Sequence, residues 1–122
     1  MPDCLPGVVI VDDHPGFRRA ARELLEARGF AVYGEAPGAA EAYFLVELRR
    51  PDLVIVDVRL GELNGLDVAW TLTHEHPGLR VLLVSACEDA CDFASVMACG
   101  AVAFLPKEHL GAADFRAFMA AP

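Results

Sequence analysis

Five short apolar runs, each closed by turn-forming residues and each followed by a stretch of helical spacing, constrain this chain more than any other feature. The runs occupy residues 8–11, 31–33, 53–56, 81–84 and 101–105. Their length and β-branched content mark strands buried on both faces, as in a parallel sheet. Phe17, Ala20, Ala21, Leu24, Leu25 and Arg28 recur at helical intervals before Gly29. Ala42, Leu45, Val46 and Arg49 repeat the pattern before Pro51, which a helix interior does not accommodate. Further helices are predicted over 65–76, 88–99 and 108–119, the last with an apolar stripe of Leu110, Phe115, Phe118 and Met119.

Strict βα alternation implies an α/β fold, because parallel neighbours need crossovers long enough to hold a helix and these cover both faces of the sheet. At 122 residues the chain is long enough for one domain with a real core. It contains no linker, repeat or low-complexity segment, and its first six or so residues read as a short tail. A formal net charge of -8 argues against direct binding to DNA or RNA, which depends on clustered Lys and Arg. The start MPDCLPG lacks the form of a signal peptide, and no apolar run approaches the roughly 20 residues that span a bilayer, so a cytoplasmic protein is expected. In that reducing setting Cys4, Cys87, Cys91 and Cys99 read as small packing residues, without a CxxC pair or a histidine at ligand spacing.

Ligands of such sheets bind at the carboxyl ends of the strands. Asp12 and Asp13 follow the first run, Asp57 the third, Ser85 the fourth, and Pro106 and Lys107 the fifth. Taken alone, Asp13 or His14 reads as a helix cap ahead of Pro15, Asp57 as a turn residue, Ser85 as another cap and Lys107 as a solvated charge. Taken together they converge on one edge, where three carboxylates repel one another and call for a cation. Mg²⁺, which prefers oxygen ligands, suits such a crevice, and a metal beside an ammonium and a carboxylate nucleophile is an arrangement for phosphoryl chemistry.

With VVIVDDHPGFRRAARELLEARG, DLVIVDVRLGELNGLDVA, VLLVSA and GAVAFLPKEHL, the whole chain resembles the receiver domain of bacterial two-component response regulators, and its VVIVDDHP opening resembles the NarL-type branch. The resemblance implies a single (βα)5 flavodoxin-like domain over residues 1–122 with strand order 2-1-3-4-5. It implies that Asp57 accepts a phosphoryl group from a sensor histidine kinase or a small phosphodonor. Asp13, Asp57 and the backbone carbonyl of Arg59 would hold Mg²⁺ or Mn²⁺, with Asp12 acting largely through water. Ser85 and Lys107 would receive the phosphate, and Phe104 would carry the switch to a face made of the fourth helix, fifth strand and fifth helix. That face would meet an output domain that controls transcription or form a homodimer, the latter with Phe115, Phe118 and Met119 as candidates.

The chain also departs from the family's pattern. Phe104 lacks the hydroxyl of a tyrosine, so packing alone would carry the switch there. Glu108 rather than proline follows Lys107, which leaves the local turn open. Arg59 and Cys87 occupy the positions two residues past Asp57 and Ser85, where the family tunes water access and phosphate lifetime. Trp70, His74 and His76 read as structural or surface residues, His14 as an exposed or supporting neighbour of the site, and Glu62 as solvated. Two alternatives stand beside the switch: a phosphorylation-independent receiver acting as an interaction module, and an aspartyl phosphohydrolase. The hydrolase would need a second acid where Arg59 stands.

Overall fold

The computed structural model describes residues 5–120; Cys4 and most of the expected tail lie outside them. Five parallel strands form one sheet: β1 (Gly7–Val11), β2 (Ala31–Ala36), β3 (Leu53–Asp57), β4 (Arg80–Ser85) and β5 (Ala103–Pro106). Their order is 2-1-3-4-5, as the resemblance implies, with every neighbouring pair parallel. The residues of β1 and β3 are buried throughout, which is why both read as unbroken apolar runs. The edge strand β2 is only half-buried along most of its length, and its register against β1 shifts at Val8/Val9.

Two apolar layers sandwich the sheet. On one side α2 (Ala39–Arg49), α3 (Gly65–Glu75) and α4 (Phe93–Cys99) contribute Ala42, Val46, Val68, Ala69, Leu72, Val96 and Cys99. On the other, α1 (Pro15–Ala27) and α5 (Phe115–Ala120) contribute Ala21, Leu25 and Phe115. Shielding each such Leu, Ile or Phe from water is worth about 1.5–3 kcal/mol.

Local chemistry sets the ends of the helices. Pro15 opens α1, and past its end Gly29 turns with φ 88. Asn64 caps α3 by accepting the Leu66 N–H at 2.9 Å, and Asp92 caps α4 by accepting from Ser95 N at 2.8 Å. That cap explains why α4 begins at Phe93 rather than near 88. Residues 86–92 instead form a loop over the carboxyl edge of the sheet.

The expected helix over 108–119 is broken in two. A 3-10 turn spans Lys107–Ala112, Ala113 is extended at φ -73 and ψ 146, and α5 begins only at Phe115. Gly111 is a poor helix former, and the guanidinium of Arg28 takes the carbonyls of Gly111 and Ala113 that a continuous helix would have used. Arg28 was expected in the stripe of α1 but serves this break. Phe115 is buried, while Phe118 and Met119 are half-buried against the same layer. These three residues, expected as dimer candidates, are therefore at least partly committed to the core.

Candidate functional site

The acidic side chains meet at the carboxyl edge because β1 and β3 are adjacent and in register, Val11 opposite Val56. The next residue of each strand path is an aspartate, and both are buried: Asp12 is 0% exposed and Asp57 3%. Asp13 lies at the mouth, exposed. Just past β5, Lys107 reaches across to place Nζ 2.7 Å from Asp12 Oδ2 and 3.2 Å from Asp57 Oδ2.

Backbone groups hold the remaining oxygens. The His14 N–H donates to Asp12 Oδ1 at 2.8 Å and the Arg59 N–H to Asp57 Oδ1 at 3.1 Å. Burial pushes the Asp57 carboxyl above the usual carboxylate range, and the charge of Asp12 adds to it, against the Arg59 N–H and Lys107. Burial pulls Lys107 down, yet Asp12 and then Asp57 outweigh it, so the ammonium is held above its ordinary value. Asp12, Asp13 and Asp57 against Lys107 leave an excess of negative charge. One donor atom each from Asp12, Asp13, His14 and Asp57 lies within 4.8 Å of the others. This largely oxygen set fits a hard divalent cation.

Of the other predicted residues, Ser85 is buried at the end of β4, beside Pro106 in register, and its Oγ accepts the Cys87 N–H at 3.1 Å. Cys87 is exposed on the loop after β4, and Arg59 is exposed in a two-residue strand, Arg59–Leu60, just after β3. Phe104 is half-buried and packs against the layer of α2, α3 and α4. The turn around Lys107 contains no cis bond, and Pro106 leads directly into the 3-10 turn. Trp70 is half exposed and stacks on His74 with ring centroids 3.9 Å apart. Cys87, Cys91 and Cys99 are free. Among the described residues no helix is long and apolar enough to cross a membrane.

Four residues matter more than their sequence signal indicated. A Cβ on Gly65 would stand 2.1 Å from the Asp57 carbonyl oxygen, so only glycine lets the start of α3 approach β3. The Phe17 ring lies 4.3 Å from Lys107 Nζ, in cation–π range. Arg18 donates to the Asp12 carbonyl at 2.7 Å while its Nε pairs with Glu35 at 3.2 Å, tying β2 to the site. His14, expected as an exposed or supporting neighbour, is two-thirds exposed yet turns Nδ1 into the carboxylates, 3.0 Å from Asp12 Oδ1 and 3.1 Å from Asp13 Oδ1. Helical periodicity explained Phe17, and no local pattern marks the other contacts. A cavity lies at the opposite, amino-terminal end of the strands, between Asp52, Arg80 and Arg116, away from this chemistry.

A sheet of this order with an acidic edge defines a class that the comparisons make specific. The chain belongs to the response regulator receiver domain family, whose model matches residues 8–116. The transcriptional regulatory protein DegU of Brevibacillus brevis is 30% identical over 102 residues, 83% of this chain and 43% of DegU. Among solved structures, a LuxR-family two-component response regulator from Aurantimonas sp. SI85-9A1 is similar at TM-score 0.83 and 30% identity, covering 95% of this chain and 86% of that one. The signal receiver domain of a NarL response regulator from Mycobacterium tuberculosis is similar at TM-score 0.81 and 29% identity, covering 98% and 100%. The chain spans 29–49% of the length of the first curated relatives it matches. Receiver domains are regulatory rather than catalytic, switch on phosphorylation by histidine kinases, and bind Mg²⁺ in an acidic pocket.

Proposed function

We propose that Asp57 is the phosphoryl acceptor of this receiver, and that residues 1–122 form one phosphorylation-controlled domain. The observation that carries the reading is the Asp57 carboxylate itself, buried at the end of β3 with an ammonium 3.2 Å from Oδ2. A carboxylate oxygen of Asp57 attacks the phosphorus of a sensor kinase's phosphohistidine; the new O–P bond forms as the P–N bond breaks, and the imidazole leaves with the electron pair. Asp13, Asp57 and the Arg59 carbonyl hold Mg²⁺ or Mn²⁺, with Asp12 acting through water. The ion supplies charge neutralisation for the transferring group.

Lys107 then leaves Asp57 for a phosphate oxygen, and Ser85 Oγ leaves the Cys87 N–H to donate to another. That exchange draws the loop after β4 inward, and the Phe104 ring follows by packing. The readout face is α4, β5 and α5, on which Phe93 and Met97 are already exposed, one turn apart on α4. Its partner is an output domain that controls transcription or a second receiver. Arg59 and Cys87 flank the acceptor and set the lifetime of the acyl phosphate. The domain turns over no external substrate; it only takes up and loses its own phosphoryl group.

Incubation with acetyl phosphate and Mg²⁺ tests the reading by intact-protein mass spectrometry. Wild type gains one phosphoryl group, and Asp57→Asn and metal-free samples gain none. Mg²⁺ binding without any mass shift would favour the phosphorylation-independent module. Multiple turnover of an external phosphoester would favour the hydrolase.

A further inference from the structure

We propose that His14 is a nitrogen ligand of the divalent ion, which shifts the site's preference from Mg²⁺ toward nitrogen-accepting ions such as Mn²⁺ and Co²⁺. The inference rests on the acidic pocket being the cation site described above. Its geometric basis is the placement of Nδ1. With bonds of about 2.1 Å, neighbouring ligands of an octahedral ion stand about 3.0 Å apart and opposite ligands about 4.2 Å apart. Nδ1 of His14 is 3.1 Å from Asp13 Oδ1 and 4.0 Å from Asp57 Oδ2. It thus stands beside one carboxylate and across from the other, as ligands of a shared ion do. Asp12 Oδ1, 3.0 Å from Nδ1, completes the ring's polar surroundings.

The inward contacts of the ring are with the carboxylates, Nδ1 lying within hydrogen-bond distance of Asp12 Oδ1 and Asp13 Oδ1. His14 is the N-cap residue of α1, but its side chain makes no capping hydrogen bond, and Pro15 opens the helix. Its backbone N–H already satisfies Asp12 Oδ1. Two-thirds of the side chain is exposed, so the ring closes the crevice from the solvent side and could withdraw without disturbing the core. Without an ion, Nδ1–H can donate to Asp12 Oδ1; with one between the groups, the imidazole proton would sit on Nε2 and the Nδ1 lone pair would face the ion.

Mg²⁺ holds nitrogen ligands weakly, whereas affinity for a mixed nitrogen and oxygen site climbs from Mn²⁺ to Co²⁺ and Ni²⁺. His14 therefore adds little for Mg²⁺ and more for the later ions. At the mildly alkaline pH where histidine is a neutral donor, electron spin echo modulation of the Mn²⁺-loaded protein should show a directly bonded ¹⁴N. The signal should vanish in His14→Ala and His14→Asn. Calorimetric titration should find Co²⁺ binding about tenfold weaker in both variants and Mg²⁺ binding changed by less than about twofold. Bound Mn²⁺ without nitrogen modulation, or modulation that survives in both variants, overturns the assignment of His14 while leaving the cation site intact. Mn²⁺ binding that is unaffected by Asp13→Ala and Asp57→Asn would instead remove the cation site itself. Circular dichroism confirms that each variant is folded.

Discussion

The middle of the sheet and its carboxyl edge are shielded from water to the same degree and are made of opposite chemistry. Ile10, Ile55 and Leu82 are fully buried; within three residues along the same strands, Asp12, Asp57 and Ser85 are buried as well. In the interior, burial removes apolar surface from water and stabilises the fold. At the edge it strips water from the carboxylates, and for Asp57 this cost outweighs what Lys107 and the Arg59 N–H return. The difference teaches that the strands' apolar portions hold a buried anionic edge in place.

Three substitutions test this contrast. Ile10→Ala opens a cavity among Val8, Leu25, Ile55 and their neighbours and should lower stability by about 2–5 kcal/mol in urea denaturation. A loss well under 1 kcal/mol would mean that the interior is not what holds the edge. Gly65→Ala drives a methyl against the Asp57 carbonyl and should cost about 1–3 kcal/mol, with weaker Mg²⁺ binding by calorimetry because the end of β3 must move. Unchanged binding at reduced stability would separate the approach of α3 from the site.

The smallest effect should have the opposite sign. Because its pKa is raised in the fold, ionised Asp57 weakens the protein, so Asp57→Asn in chelator should raise stability at neutral pH. For a raised carboxyl, the stabilising contribution is full below the ordinary value of about 3.9 and is lost as pH rises through the folded value. The gain from Asp57→Asn should therefore shrink as the solution is acidified into that window, and a pH-independent gain would count against burial as its cause. Lys107, also raised, contributes its stability below about 10.4 and loses it as pH climbs through its folded value, so the alkaline arm should persist in Asp57→Asn.

Much of this was legible in the sequence. The runs ending at Val11, Val56 and Val84 located three strand termini, and the residue types that follow named Asp12, Asp13, Asp57 and Ser85 as one set. Periodicity failed where long-range contacts overruled it. The stripe from Leu110 to Met119 reads as one helix, yet Arg28, far away in the chain, captures the carbonyls at its middle. Residues 88–92 read as the start of a helix because they are apolar or helix-tolerant, but the cap at Asp92 starts α4 later. Phe104 was legible as an aromatic on β5, while its packing against the α2–α4 layer depends on neighbours that no local window contains.

By itself the sequence determined the alternation of elements, the parallel sheet and the acidic composition of its edge, because burial on both faces and helical spacing are local patterns. Only the tertiary structure decided that Lys107 stands nearer to Asp12 than to Asp57, that Gly65 must lack a side chain, and that His14 turns into the crevice instead of capping its helix. Those outcomes depend on tenths of an ångström between residues as many as 95 positions apart, Asp12 and Lys107 among them. Distances of that kind are set by how layers pack, and adjacent residues carry no record of them.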